Sequence, residues 1–386
     1  MSSKLLSRLS KSPRRVARAE IYTRKREKKR LARLHVKYNP FKRIGYQHDV
    51  KLRSRFQVPD TVLGTTRLSA PENMDFRVHF NETVEFLDQV HQAILTGKER
   101  NVVLDLSKLD AISPEAAIVF LAETVRCLFY SVSKKKLRGN YPRSARARKM
   151  LGDIGFFKSF NIPTPPVEPQ ESQRIYFQTV FGNRSDGRLA QPLLSLFQNV
   201  GQLDSIACKR LYASLIECMD NVKAHAYPIE NEGSPDLVGE WWMAGFADKA
   251  TGQIAMIFFD QGAGIPTTIK RKRSVRIRSY FHFSDDRIIR RAVLKGLSRK
   301  SSLRHGNGLP SLKEFVDVSK NGMLRLISNY GDFTYYKSQA PKAIALPRHF
   351  RGSLIVWTIH QAMNIPIKTQ DADELFEDSP LGVVEE

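Results

Sequence analysis

The chain has 386 residues, of which 41% are hydrophobic and 26% are charged, so it can bury a core of ordinary size. Its three cysteines are too few for a disulfide framework or a cysteine-based zinc site, and its apolar runs are too short for a membrane-spanning helix. The formal net charge of +23 predicts a partner that carries negative charge. We therefore expect a cytoplasmic protein of two or three domains that meets something anionic.

The positive charge is concentrated in two blocks. Residues 1–55 carry 19 Lys and Arg against three acidic residues, and residues 270–304 carry 13 against two. These blocks have net charges of +16 and +11, which leaves −4 for the remainder of the chain. Residues 1–57 are predicted to form a basic arm, helical or disordered, that lies on nucleic-acid phosphates. An anionic protein, a membrane surface and a solvated tail without a partner are the alternatives.

Residues 58–162 alternate between strand and helix patterns. A buried strand is expected over 100–106, followed by a helix that Ser113 caps and Pro114 opens. A second strand over 137–142 leads to a helix over 145–151. This order predicts a small α/β layer. A proline-rich linker over 163–174 separates it from the next domain.

The segment 103–106, the Ser113 helix start, Asn140-Tyr141-Pro142, Leu151 and Gly155-Phe156 together resemble the STAS-like domains. These small α/β modules are often paired with regulatory ATPases in bacteria. In the sigma-factor branch, a serine at the corresponding helix start accepts a phosphoryl group, so the resemblance makes Ser113 a candidate phosphoacceptor. From the residues alone, Ser113 is a helix cap, since serine before proline commonly has that role.

Residues 175–366 carry three further motifs. On a helix expected over 211–227, Glu217, Asn221 and His225 are spaced four residues apart and form one polar row. Strands over 238–246 and 253–259 are expected to form a hairpin that ends in Asp260-Gln261-Gly262-Ala263-Gly264. An acid at a strand end beside two glycines suits a flat ligand with an amino group.

The third motif, Arg304-His305-Gly306-Asn307-Gly308, opens a helix. A glycine-rich helix entry presents backbone amides that hold phosphate. The sequence then predicts a hairpin of strands over 324–328 and 333–337, with Tyr330-Gly331-Asp332 as its turn, and a last buried strand over 352–359. Residues 367–386 form an acidic tail.

The three motifs, in this order, resemble the GHKL ATPases, a family of histidine kinases, type II topoisomerases and anti-sigma serine kinases. The resemblance implies a Bergerat-type sandwich of helices on a mixed sheet, which binds ATP and Mg²⁺. It makes Glu217 the catalytic residue that orients or deprotonates the attacking group, and Asn221 the Mg²⁺ ligand. Gly306 and Gly308 would cradle the phosphates, with Arg304 within reach of them. His225 is expected to brace the helix.

At the other end of the same site, the resemblance gives Asp260 a hydrogen bond to the adenine amino group. Gly262 and Gly264 would make room for the base, and Ser353 would lie on the neighbouring strand. The segment 267–304 would be a basic lid over the nucleotide.

Three functions remain open at this point. The first is an ATP-dependent switch or regulatory ATPase whose arm and lid (residues 1–55 and 270–304) contact nucleic acid or another anionic partner. The second is a serine/threonine kinase of the anti-sigma type, acting on a STAS-like partner or on the chain's own STAS-like module. The third is a non-catalytic ATP-binding scaffold. A protein partner is expected in each case, and a homodimer is left open.

Overall fold

A computed structural model of the chain describes residues 64–96, 101–130, 136–165, 174–227, 240–271, 282–296, 308–319 and 321–360. The predicted basic arm and the acidic tail lie outside the described residues. Within these ranges the chain is a mixture of helices with three sheets, which agrees with the expected α/β and α+β class. No helix in these ranges combines the length and the apolar character needed to cross a bilayer.

The first unit, here called the N-terminal module, lies within residues 64–165, and its described residues form two parallel sheets and four helices. The larger sheet has the order β1-β3-β5 and the smaller one pairs β2 with β4. The strands are β1 (Thr65–Ser69), β2 (Asn73–Met74), β3 (Asn101–Asp105), β4 (Ala111–Ile112) and β5 (Lys136–Gly139). The helices are α1 (Phe80–His91, extended by a π turn over Gln92–Thr96), α2 (Pro114–Tyr130), α3 (Ala145–Asp153) and α4 (Phe156–Ser159).

Helix α2 begins where the sequence predicts. The Ser113 hydroxyl accepts a hydrogen bond from the Ala116 N–H at 3.2 Å, so Ser113 acts as the cap. Pro114 occupies the first helical position, where its missing N–H costs nothing. The strand expected over 137–142 is shorter in the structure, where β5 ends at Gly139. The Asn140 side chain donates a hydrogen bond to Asp105.

The second unit is built on one five-stranded sheet with the order β6-β7-β8-β10-β9, antiparallel throughout. Its strands are β6 (Arg174–Gly182), β7 (Trp241–Asp248), β8 (Gln253–Asp260), β9 (Asn321–Tyr336) and β10 (Lys342–His360). Its helices are α5 (Gln191–Asn199), α6 (Ser205–Asn221, extended by a π turn over Val222–Ala226), α7 (Ile265–Arg271), α8 (Asp285–Lys295) and α9 (Ser311–Val318). The expected hairpin of β7 and β8 is confirmed.

Strands β7 and β8 are buried on both faces, which explains why their residues are almost continuously apolar. Along β7, Trp241 belongs to the core beneath α5, α6 and α9, whereas Trp242 belongs to the core shared with the N-terminal module. Phe258 and Phe259 alternate between the two cores in the same way on β8. The second unit is therefore a sheet covered by its own helices on one side and by the N-terminal module on the other.

The expected hairpin over 324–337 is wrong, because β9 continues through Tyr330-Gly331-Asp332 without reversing. The strand bends at Asn329, whose φ is +55°, and β10 follows it through irregular register around Phe350. Gly331 serves a close approach rather than a turn, since a Cβ there would lie 2.6 Å from the backbone nitrogen of Asp286 on α8. The last strand also begins earlier than expected, at Lys342.

Candidate functional site

The predicted polar row lies on α6. This helix starts at Asp204, whose carboxylate accepts hydrogen bonds from the N–H groups of Ile206 and Ala207, each at 2.8 Å. Near its other end, the Asn221 side-chain amide donates to Glu217 Oε1 at 3.1 Å. Both side chains are partly exposed. This hydrogen bond uses the NH₂ group of Asn221 and leaves its Oδ1 available to a cation.

The start of α9 approaches this row. Gly308 has a φ of +70°, which glycine adopts without strain, and a Cβ at this position would lie 4.0 Å from Glu217 Oε1. The Ser214 hydroxyl on α6 also donates to the Ser311 carbonyl of α9 at 3.1 Å. Gly308, the described end of the glycine-rich motif, thus lies beside the polar row. Two other residues of that motif, Arg304 and Gly306, lie outside the described residues.

Asp260 ends β8, the central strand of the sheet, and pairs with Ser353 on the neighbouring strand β10. It is buried and accepts hydrogen bonds from the Gly262 N–H, at 2.9 Å, and from the Ser353 hydroxyl. Burial raises the pKa of Asp260 to about 7, and these two donors offset only part of that effect. A buried carboxylate of this kind gains most from a ligand that offers a further N–H donor.

The loop after Asp260 needs its glycines. A Cβ on Gly262 would lie 2.5 Å from the Cβ of Ala226, in the π turn that follows Asn221. Gly264 has a φ of +84°, and a Cβ there would collide with the side chain of Asn329. The glycines therefore allow the Asp260 loop to press against the end of α6, which brings two of the three motifs together.

Cys218 is within electrostatic range of both carboxylates of the site. Burial raises the pKa of this thiol well above its ordinary value, and the negative charges of Glu217 and Asp260 raise it further. The same thiol thus interacts electrostatically with both carboxylates, although these lie 43 positions apart in the sequence. The cluster of Glu217, Asn221, Gly308, Asp260 and Ser353 is here called the candidate site.

Two supporting residues on β9, Ser328 and Asn329, were not identified from the sequence. Asn329 donates to the Thr267 hydroxyl at 2.6 Å, and the Ser328 hydroxyl accepts from the Ile265 N–H at 3.0 Å. Both contacts hold the start of α7 against the bend in β9. The positive φ of Asn329 could have been suspected from the residue type, since asparagine tolerates that conformation, but nothing in the pattern relates it to the segment after Gly264.

The remaining sequence candidates lie elsewhere. Ser113 lines a cleft of about 760 Å³ at the junction of the two units, together with residues such as Arg174 and Tyr176. His225 is exposed on the π turn, and its carbonyl accepts a hydrogen bond from the Thr268 hydroxyl at 3.4 Å. The basic segment 267–304 contains parts of α7 and α8, and its residues 272–281 and 297–304 lie outside the described ranges.

Neither a protein-family model nor a curated protein matches the chain. The resemblance to STAS-like domains and GHKL ATPases therefore rests on the sequence motifs.

Proposed function

We propose that the protein is a regulatory ATPase that binds ATP and Mg²⁺ at the candidate site, as the GHKL resemblance implies. The observation that carries this proposal is the convergence of three separate motifs. Glu217, which accepts a hydrogen bond from Asn221, lies beside Gly308, and the loop after Asp260 packs on the π turn that extends the same helix. A polar row that only faces solvent would not be expected to lie beside a buried acid and beside glycines from two other motifs.

The donors present fit this ligand. Asn221 Oδ1 is a hard oxygen ligand of the kind that Mg²⁺ prefers. Asp260 is a buried acceptor with no cationic partner among the described residues, and the adenine amino group supplies the N–H that it needs. Gly308 lies at the entry of a helix, where backbone N–H groups point toward an anion.

Each residue then has a distinct role in phosphoryl transfer. Glu217 orients the attacking water and accepts its proton, and the hydrogen bond from Asn221 fixes the rotamer of its carboxylate. Asp260 and Ser353 hold the base, so that the far end of the ligand reaches Glu217 in one orientation. Mg²⁺, when bound, neutralises the negative charge that develops on the phosphates.

The outer face of α8 fits an anionic partner. Its basic residues Arg287, Arg290, Arg291 and Lys295 are exposed, whereas its acids Asp285 and Asp286 are buried. Asp285 is also neutralised internally, by Lys270 of α7 at 2.8 Å. The helix therefore presents positive charge outward, and together with residues 1–55 this favours nucleic acid as the partner.

The kinase alternative has one observation in its favour. Ser113 is partly exposed at the edge of the junction cleft, so its hydroxyl is open to a phosphoryl donor from one side. Radiolabelled ATP separates this second proposal from the first, because transfer would label the protein, whereas hydrolysis releases free phosphate.

The proposed function is tested by ATP affinity and turnover. We expect Glu217→Ala to retain ATP but to lose turnover by 10²-fold or more, on the order of what a general base contributes. Asn221→Ala should weaken binding only when Mg²⁺ is present. Glu314→Gln is the matched control, because it removes a carboxylate from an exposed ion pair with Arg210 between α6 and α9. Wild-type protein that binds no ATP would refute the proposal, and binding without turnover would favour the scaffold.

A further inference from the structure

A buried polar network crosses from the N-terminal module to the loop of the candidate site. It consists of Glu123 and Arg126 on α2, His91 at the end of α1, and Gln261 between Asp260 and Gly262. All four residues are at least 90% buried. Buried charged side chains are uncommon unless they are paired, so this arrangement calls for an explanation.

Glu123 is the centre of the network. Arg126 Nη2 lies 2.5 Å from both of its carboxylate oxygens, and His91 Nδ1 lies 2.7 Å from Oε1. Burial alone would raise the pKa of Glu123, but the charge of Arg126 and the hydrogen bond from His91 lower it to about 2. Glu123 is therefore a carboxylate at neutral pH, and its charge is balanced inside the core.

The remaining contact reaches across the junction. Gln261 Nε2 donates to Glu123 Oε2 at 2.9 Å, although the two residues are 138 positions apart. The Gln261 backbone N–H donates to the Tyr227 hydroxyl at 3.0 Å, and that hydroxyl donates to the Glu240 carbonyl at 2.8 Å. Gln261 is thus held by its side chain from the module and by its backbone from the segment that follows α6.

A metal centre does not explain this cluster. The ligand atoms of His91, Glu123 and Cys127 lie within 4.8 Å of one another, which is close enough for one ion. However, the guanidinium of Arg126 contacts Glu123 and lies 3.1 Å from His91 Nδ1. A positive charge already occupies the place that a cation would take, and the buried guanidinium would repel a metal ion there.

We propose that Glu123, acting through Gln261, is a positioning residue for the nucleotide loop and links nucleotide binding to the docking of the N-terminal module. This inference rests on the proposed function of Asp260. The side chains of Asp260 and Gln261 leave the loop in different directions: one meets Ser353 and the other meets Glu123. A shift of the module moves the anchor of Gln261, and the adjoining peptide carries that shift to Asp260.

The orientation of the Gln261 side chain depends on Glu123. Its side-chain oxygen is buried and has no hydrogen-bond partner among the described residues, so the single bond to Glu123 fixes the amide. Because linkage is reciprocal, the factor by which a docked module strengthens ATP binding equals the factor by which ATP strengthens docking.

The test measures ATP affinity together with hydrogen exchange of α2 in the full chain. In wild-type protein, Mg·ATP should slow exchange over residues 114–130. Gln261→Met keeps the length of the side chain but loses the bond to the carboxylate, so ATP should bind about tenfold more weakly and α2 should no longer respond. Ile257→Val is the matched control, since it loosens the same junction by one methyl group and leaves the network intact.

A charge exchange provides the rescue. Gln261→Glu alone places two carboxylates in contact and should weaken ATP binding further, whereas the double variant Glu123→Gln with Gln261→Glu keeps one carboxylate and one amide in contact beside Arg126 and should bind ATP more tightly than Gln261→Glu alone. The inference is overturned if wild type binds ATP while α2 exchange is unchanged, or if Gln261→Met lowers only the melting temperature. If wild type binds no ATP, the proposed function fails first.

Discussion

The two faces of the five-stranded sheet are held by different kinds of contact. The helices α5, α6 and α9 cover one face with aliphatic and aromatic side chains, such as Leu215 and Phe315. The N-terminal module covers the other face with a similar core, but it adds the ion-paired network around Glu123. Apolar packing is not directional, so it tolerates small shifts between the packed surfaces. The hydrogen bonds of a buried polar network are all formed only when the two units have one particular relative position. The second face is thus the one suited to fixing how two units meet.

Among these predictions, Glu123→Ala should cause the largest loss of stability. It leaves the Arg126 charge buried without its carboxylate, so we expect the free energy of unfolding to fall by about 3–5 kcal/mol. The double variant Glu123→Leu with Arg126→Met removes both charges and should recover most of that loss. Urea denaturation measures both, and equal losses in the single and double variants would contradict a role for the buried charge.

On the helix-covered face, Leu215→Ala should cost about 3 kcal/mol, because it creates a cavity in a fully buried layer. Unlike the loss from Glu123→Ala, this loss involves no charge, so a second substitution that removes a charge cannot restore it. The two faces should differ in this respect. Thermal unfolding with and without Mg·ATP checks it. We expect the same loss under both conditions, and a loss that ATP cancels would mean that this face also responds to nucleotide.

The pKa of Asp260, raised by burial to about 7, predicts a pH dependence with a definite sign. The folded apo protein binds this proton more tightly than the unfolded chain, so the Asp260 contribution to stability falls as pH rises from about 4 to 7. The adenine amino group donates to the ionised form, so ATP affinity should rise by about tenfold, or about 1.4 kcal/mol, between pH 6 and 8.

Isothermal titration across this pH range provides the measurement. Asp260→Asn has no ionisable group and should show only the slope that belongs to the phosphates of ATP itself. If wild type and this variant have parallel pH profiles, Asp260 does not contact the base.

Ser113→Ala should have the smallest effect, about 1 kcal/mol, because only the cap of α2 is lost. Ser113→Asp should restore that stability, since aspartate also caps and suits the positive end of a helix. Chemical denaturation checks both variants. If Ser113→Ala instead abolishes label from radioactive ATP with little loss of stability, the serine is a phosphoacceptor as well as a cap.

Local chemistry was predictable from the sequence, whereas contacts between distant segments were not. The spacing of Glu217 and Asn221 implies adjacency on any helix, and the structure has that contact. Tyr330-Gly331-Asp332 has the composition of a turn, yet Gly331 is required by the approach of α8, which no local pattern contains. The sequence motif gives no role to Gln261, which stands between Asp260 and Gly262. Its partner Glu123 belongs to another unit, so no local pattern relates the two residues.

The position of β10 has a consequence for synthesis on the ribosome. This strand is the last of the sheet in the sequence, yet it lies between β8 and β9 and pairs with both. Until it emerges, β8 and β9 have no partner on their inner sides, and each exposes unpaired backbone to other nascent chains. Arg351 of β10 also pairs with Asp88 of α1. One late strand therefore completes the sheet and secures the module in the same event.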